Sequence, residues 1–114
     1  MTKLKIAVAA LAMTTTAAHS QTAVDQWTAL CSKGSGSELV SCRSYARGVA
    51  DTIMLLRTLH PELTNICIPA GVAEKDLVDL ALPYVQGQPP TSPPLPAANL
   101  LTKAFSTAFP CTKR

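Results

Sequence analysis

The sequence of 114 residues has little excess charge of either sign, with ten lysine and arginine residues against seven aspartate and glutamate residues. Two of the basic residues, Lys3 and Lys5, lie within the first five positions, so the rest of the chain is nearly neutral. A nucleic-acid-binding protein needs a basic surface that neutralises phosphates, and binding to anionic lipid needs a similar basic cluster. The composition therefore argues against nucleic acid and against an anionic membrane surface as the partner.

The sequence also lacks a hydrophobic run of the roughly 20 residues that a membrane-spanning helix needs. A short apolar run, Ile6 to Met13, follows the basic start and precedes the small-x-small pattern Ala18-His19-Ser20. This order is typical of a secretory signal peptide. We predict a signal peptide over residues 1–20, cleaved after Ser20, and one domain over residues 21–114 that is exported to the periplasm without stable membrane insertion.

Known catalytic and metal-binding motifs are absent. There is no G-x-S-x-G, H-E-x-x-H or phosphate-binding loop, and His60 has no motif that would make it part of a catalytic triad. We therefore predict no enzymatic activity, no cofactor and no metal.

The wide, unequal spacing of the cysteines disfavours zinc, and in an oxidising compartment an even number of cysteines implies two disulfides. Spacing alone leaves three pairings open for Cys31, Cys42, Cys67 and Cys111.

Runs that alternate apolar and polar residues are missing as well, so we predict an all-α domain of four helices, one short and three long. The short first helix runs from about Ala23 to Cys31 and leads into a Gly/Ser-rich loop. The second begins at Ser37 and ends near His60, because Pro61 disfavours helical geometry in the residue before it. Its predicted inner face is Cys42, Tyr45, Ala46, Val49, Ile53 and Leu56.

Prolines mark the second half of the chain. The third helix is predicted from about Ala73 to Gln86, with a kink or an early end at Pro83, which cannot donate a backbone hydrogen bond. Five prolines between residues 89 and 96 predict a stiff linker, and the fourth helix runs from Pro96 to Pro110. The predicted inner faces of these two helices are Leu77, Leu80, Ala81 and Tyr84, and Ala97, Leu101, Ala104, Phe105 and Ala108.

An antiparallel arrangement of these helices selects one cysteine pairing. Cys31 ends the first helix beside Cys42, near the start of the second. Cys67 lies beyond the far end of the second helix, and the fourth helix brings Cys111 back to that same end. We therefore predict the disulfides Cys31–Cys42 and Cys67–Cys111.

Two residues of the second helix are unusual for their positions. Gly48 lies in mid-helix, where glycine costs about 1 kcal/mol relative to alanine, so we expect a close approach of a neighbouring helix. Asp51 is one turn from Arg47. Either it forms an exposed ion pair with Arg47, or it is a partly buried acid that binds a neighbouring helix end.

The string Cys42-Arg43-Ser44-Tyr45-Ala46-Arg47-Gly48-Val49-Ala50-Asp51 resembles the C-x-x-Y-x-x-G-x-x-D signature of the Tai/Rap family of type VI secretion immunity proteins. Cys67-Ile68-Pro69-Ala70-Gly71-Val72 is similar to the family's C-x-P-x-G-V turn, and Phe109-Pro110-Cys111 to its closing F-P-C. The family's signature residues are thus Tyr45, Gly48, Asp51, Pro69, Gly71, Phe109 and Pro110. Ala73 at the helix cap, Pro83 and the proline-rich loop depart from the family pattern, so partner specificity is the least transferable property.

The resemblance implies a small all-helical periplasmic protein, often a homodimer, that sterically blocks a peptidoglycan-cleaving amidase effector. Two alternatives stay open from the sequence. One is a small periplasmic acid-stress chaperone, although only seven acidic residues give little pH-driven repulsion to trigger its opening. The other is an exported helical binding domain without a cognate toxin.

An inhibitor of this kind needs a protruding segment, and two loops qualify. Ordering the Gly/Ser-rich loop over residues 32–37 costs about 1–2 kcal/mol per residue of backbone entropy. The proline-rich loop over residues 87–95 is already restricted, so we predict that it carries the partner-binding residues. These are the hydrogen-bonding groups of Gln86, Gln88, Thr91 and Ser92, with Leu95 as an apolar tip.

Overall fold

The computed structural model describes Ala9 and residues 22–112, so the predicted signal peptide and its cleavage site lie outside the described residues apart from Ala9. Within this range the fold is all-α, as predicted. Four helices, α1 (Val24–Ser32), α2 (Ser37–Leu59), α3 (Glu74–Gln86) and α4 (Ala97–Ala108), are joined by loops and by a 3₁₀ turn, Pro61–Leu63. Each helix packs against the other three.

The core contains only apolar side chains among the described residues, and Trp27 lies fully buried in it. The indole N–H of Trp27 donates to the Cys42 carbonyl oxygen over 3.1 Å, which satisfies its polar edge and ties α1 to α2. The core residues from the other elements are Cys42, Ala46, Ala50 and Ile53 of α2, Ile66 and Ile68, Leu77, Val78, Ala81 and Val85 of α3, and Ala97, Leu100, Leu101, Ala104 and Phe105 of α4. Two residues that we predicted on inner faces are exposed, Leu56 on α2 and Ala108 on α4.

Pro83 does not end α3 early, so that alternative of the prediction is wrong. The helix continues through Pro83 to Gln86, and the N–H of Gly87 donates to the Pro83 carbonyl oxygen over 3.1 Å. The physical reason is packing: Val85 is buried in the last turn, and this burial holds the turn in helical geometry. Pro83 itself is exposed.

Both disulfides join the cysteines that the antiparallel arrangement predicts. The Cα atoms of Cys31 and Cys42 are 5.2 Å apart, and those of Cys67 and Cys111 are 4.9 Å apart. Backbone hydrogen bonds hold the second pair in place: the Cys67 N–H donates to the Phe109 carbonyl oxygen over 2.7 Å, and the Cys111 N–H donates to the Asn65 carbonyl oxygen over 2.9 Å. The end of the chain is therefore fastened to the loop that precedes α3.

Most signature residues have a role in this framework. The Tyr45 hydroxyl accepts a hydrogen bond from the Ala98 N–H, over 3.1 Å, at the start of α4. Gly71 has a positive φ of 83°, a backbone conformation that glycine adopts at little cost. Pro110 forms an isolated antiparallel bridge with Ile66. Pro69 is exposed, two residues beyond the Cys67 disulfide.

For Gly48 and Asp51 of α2, the structure contradicts part of what we expected. The Asp51 side chain is 61% exposed and its Oδ1 lies 3.8 Å from Nη1 of Arg47, so it forms the exposed ion pair, and the partly buried acid is wrong. Gly48 is also exposed, and a Cβ added to it would meet nothing within 4 Å. No described helix approaches closely at Gly48, so that expectation is wrong for the part of the chain that the structure describes.

Candidate partner-binding surfaces

Two surface grooves with distinct linings stand out among the described residues. The first, the proline-loop groove, lies between α1, the end of α3 and the proline-rich loop, and has a volume of about 400 Å³. Its lining comprises Val24, Asp25, Thr28, Val85, Gln86, Gln88, Pro89, Pro90, Thr91, Pro94, Leu95, Leu100 and Lys103. Four of the five predicted partner-binding residues are brought together here.

The fifth, Ser92, is exposed on the loop but does not line the groove. The exposed part of the loop extends over residues 89–94 and is mostly proline. Leu95 is half-buried and packs against the core, so the prediction of an apolar tip at Leu95 is wrong. Its side chain anchors the loop to the domain, because it follows the exposed prolines and directly precedes α4.

Polar side chains in and beside this loop donate hydrogen bonds to acceptors within the chain. The Gln88 side-chain N–H donates to the Tyr84 carbonyl oxygen over 3.2 Å, and the Thr91 hydroxyl donates to the Pro93 carbonyl oxygen over 3.0 Å. Gln86 donates to the Ser32 hydroxyl oxygen over 3.1 Å, which connects the last residue of α3 to the last residue of α1. These donors have partners within the chain, and the amide oxygens and hydroxyl lone pairs remain as acceptors for a partner.

Asp25 and Lys103 are the charged residues of this groove. Neither forms an ion pair within 4 Å in the part of the chain that the structure describes. An exposed charge without a partner adds little to the stability of the fold, but it contributes to a complex when a complementary charge covers it. The groove therefore combines an apolar wall, a preformed loop and one charge of each sign.

The second groove, the α2–α4 groove, was not predicted. It has a volume of about 870 Å³ and a predominantly apolar lining. Its residues are Ser44, Tyr45, Gly48, Val49, Thr52, Ile53 and Leu56 of α2, Leu63 to Ile66, and Ala98, Thr102, Lys103 and Ser106 of α4. The sequence signal that we did not follow is the leucine-rich end of α2, which has more apolar residues than one buried face accommodates.

Catalytic or metal-binding geometry is not found among the described residues. No cluster of three or more histidine, cysteine or acidic side chains there is close enough to hold a metal ion. His60 Nδ1 lies 3.2 Å from Glu62 Oε1, and both side chains are more than half exposed. None of the described helices is long and apolar enough to cross a membrane. The features that stand out among the described residues are the two surface grooves.

Comparison with known proteins gives one match. The model of a family described as Rap1a immunity proteins matches residues 23–111, which cover all four helices and both disulfides. No curated protein and no solved structure matches the chain.

Proposed function

Because the chain belongs to the Rap1a immunity protein family, we propose that it binds and sterically blocks a peptidoglycan-cleaving amidase that a type VI secretion system delivers into the periplasm. The observation that carries the proposal is the family match over residues 23–111. An immunity protein acts on a toxic effector by binding it, and the two grooves offer surfaces for such binding without a catalytic group of the protein taking part.

Two features support action in the periplasm. The fold contains two disulfides, and disulfides form and persist in oxidising compartments such as the periplasm. The first 20 residues have the basic start, apolar run and small-residue pattern of a secretory signal. A peptidoglycan-cleaving effector reaches its substrate in the same compartment.

We assign the effector contact to the proline-loop groove. The exposed prolines of residues 89–94 form a projection that is stiff before it binds, so little backbone entropy is lost when it enters a cleft. Asp25 and Lys103 flank this projection and provide charge complementarity. In this mechanism the loop fills the amidase cleft and excludes peptidoglycan, and the disulfide-linked helices keep the loop in position.

The test screens purified type VI peptidoglycan amidases against the purified chain. We expect the chain to bind one of these amidases and to stop its cleavage of purified peptidoglycan, and periplasmic co-expression of the pair to prevent lysis. Full activity of every amidase in the presence of a saturating amount of the chain would refute the proposed function. A version that lacks residues 1–20 and stays in the cytoplasm should give no protection.

A matched pair of variants tests the assignment to the proline loop. Thr91→Arg adds bulk and charge to the projection and should weaken amidase binding by at least about tenfold, or ~1.4 kcal/mol. Thr107→Arg is the control, because Thr107 is also an exposed threonine whose hydroxyl donates to a backbone carbonyl oxygen, and it lines neither groove. Equal affinities of the two variants would show that the amidase contacts another surface.

A further inference from the structure

The two disulfides differ in how easily another thiol can exchange with them. Exchange requires that a thiolate reaches one sulfur and that the other sulfur leaves as a thiolate. Cys42 is fully buried among the apolar core residues, so an attack on the half-buried Cys31 would expel a thiolate into an apolar site. Cys67 and Cys111 are both half-buried, and neither belongs to the buried core. Burial therefore protects the first disulfide more than the second.

A positive charge lies on the second disulfide. Arg57, in the last turn of α2, is exposed, and its Nη1 donates to the sulfur atoms of both Cys67 and Cys111. None of the described acidic side chains lies within ion-pair distance of Arg57, so no carboxylate there neutralises its charge. An arginine beside a cysteine favours the thiolate over the thiol, and the thiolate is the form that attacks and leaves in exchange.

The other charges at this end of the bundle do not stabilise a thiolate. The carboxyl ends of α2 and α4 both lie here, and the carboxyl end of a helix carries a partial negative charge. His60 and Glu62, in the turn that follows α2, pair with each other over 3.2 Å. Arg57 therefore supplies the positive charge that a thiolate at this position requires.

Contacts that do not depend on the S–S bond keep the two cysteines adjacent. Their backbone N–H groups donate to the carbonyl oxygens of Phe109 and Asn65, which joins the chain end to the loop before α3. Ile66 forms a bridge with Pro110 between these two hydrogen bonds, and its side chain is buried. Reduction therefore leaves two thiols close to each other and beside Arg57, in a position from which the disulfide can form again.

We propose that the Cys67–Cys111 disulfide is a reversible thiol–disulfide exchange site of the folded protein, and that Arg57 stabilises its thiolate. The Cys31–Cys42 disulfide is the structural one. The reaction partner is a thiol–disulfide couple, which alternates between a dithiol and a disulfide.

The exchange balances in two steps. When the site closes, the first thiolate attacks the partner's disulfide, which forms a mixed disulfide and releases one partner thiolate. The second cysteine loses its proton, and its thiolate attacks the first cysteine's sulfur in the mixed disulfide and expels the second partner thiolate. Two thiols of the chain are oxidised, one partner disulfide is reduced, and two protons pass to the partner's thiolates. Reduction of the site by a dithiol follows the same steps in reverse.

Limited reduction of the purified chain without denaturant tests the site. The four cysteines lie on four different tryptic peptides, so dithiothreitol followed by iodoacetamide and peptide mapping reports each one separately. The cysteines of the Cys67–Cys111 disulfide should be alkylated at least about tenfold faster than those of the first disulfide. The fluorescence of the buried Trp27 should remain that of the folded protein. Equal rates for the two disulfides, or unfolding before alkylation, would overturn the proposal.

Three variants test the role of Arg57. Arg57→Met removes the charge, whereas Arg57→Lys keeps it. Arg43→Met is the matched control, because it removes the same charge from the same helix at a distance of about 21 Å along its axis. After reduction, glutathione disulfide should close the site at least about threefold more slowly in Arg57→Met than in Arg43→Met, and Arg57→Lys should retain most of the wild-type rate.

The reverse reaction separates this role from a purely structural one. If Arg57 only held the chain end in place, Arg57→Met would loosen the site and dithiothreitol would reduce it faster. Stabilisation of the leaving thiolate predicts slower reduction instead. Reduction or closure in Arg57→Met that is as fast as in Arg43→Met, or faster, would overturn the assignment to Arg57. No amidase takes part in these measurements, so their outcome is independent of the proposed function.

Discussion

The hydrogen bond between Tyr45 and α4 allows a direct test of whether a side chain that caps α4 stabilises the fold. The first N–H groups of a helix have no partner within it. Here the N–H of Ala97 donates to the Thr22 carbonyl oxygen over 2.8 Å, that of Ala98 to the Tyr45 hydroxyl over 3.1 Å, and that of Asn99 to the Pro96 carbonyl oxygen over 3.1 Å. Only the middle contact uses a side chain, so Tyr45→Phe removes it and leaves the other two intact.

The expected loss combines two effects. A net hydrogen bond contributes about 1 kcal/mol, and a donor left without a partner in a partly buried position adds a further cost, so we expect about 1–2 kcal/mol. For a domain of this size, 1 kcal/mol lowers the melting temperature by about 4–8 °C. Urea unfolding followed by Trp27 fluorescence measures the change, because Trp27 is the only tryptophan and is fully buried.

The control for this measurement is the other tyrosine. Tyr84 is half-buried like Tyr45, but its hydroxyl forms no side-chain hydrogen bond to another described residue. Tyr84→Phe should therefore change the free energy of unfolding by less than about 0.5 kcal/mol. If Tyr45→Phe is no more destabilising than Tyr84→Phe, the hydroxyl does not cap α4 and the reasoning is wrong.

Three further predictions concern the loop contacts and the charges. Arg47→Met should cost about 1.5–3 kcal/mol in urea unfolding, because the guanidinium donates to a carbonyl oxygen of the loop before α3. Replacing Cys67 and Cys111 by alanine opens a loop of 44 residues and should cost about 4 kcal/mol in the same assay. The hydrogen bond to the Asp79 carboxylate, followed by its negative charge, raises the pKa of Lys75 above 10.5, and Asp79→Asn should bring that pKa back towards 10.5 in an NMR titration.

Each of these predictions has its own control. Asp51→Asn should cost less than about 0.5 kcal/mol, because the ion pair with Arg47 is exposed and long, and an equal loss in Arg47→Met would contradict the role of the loop contact. A loss of less than about 2 kcal/mol on removal of the Cys67–Cys111 disulfide would contradict the chain-entropy argument. Asp76→Asn should lower the pKa of Lys75 less than Asp79→Asn, because Asp76 acts only through its charge.

The sign of the Lys75 effect follows from the direction of its pKa shift. A raised pKa in the folded state means that the folded protein binds the proton more tightly than the unfolded chain does. The contribution to stability is therefore fully present below pH 10.5 and is lost as the pH rises through the folded-state pKa. A contribution that grew with increasing pH in this range would contradict the assignment.

The sequence predicted the helices well because their apolar spacing and their stop signals agree. Pro61 and Pro110 follow the observed ends of α2 and α4 within two residues. The disulfide pairs could be predicted because an antiparallel arrangement of successive helices fixes the end of the bundle where each cysteine lies. Pro83 shows where a rule based on residue type alone fails. A proline inside a helix is expected to end it, but here the burial of Val85 outweighs the missing hydrogen-bond donor.

The candidate sites were harder to predict than the helices. The periodicity of apolar residues shows which face of a helix is apolar, but it does not show which part of the protein covers that face. Leu56 continues the apolar spacing of α2, yet none of the four described helices covers it fully and it lines the α2–α4 groove. Leu95 follows four prolines in the sequence and looks like the tip of a loop, but the chain turns back there to begin α4 and buries it partly. Both outcomes depend on contacts between distant parts of the chain, which the local pattern does not contain.

The family signature identifies the framework of the protein better than its binding surface, and the structure gives the reason. Tyr45 caps α4, Gly71 permits the turn before α3, and Phe109 accepts the hydrogen bond that places Cys67 beside Cys111. None of the exposed prolines of residues 89–94 belongs to the signature, so the proposed effector contact can change without disturbing the signature's framework contacts. Gly48 differs from Gly71 because its φ is not in the left-handed region, and a Cβ added to it would meet no described atom within 4 Å.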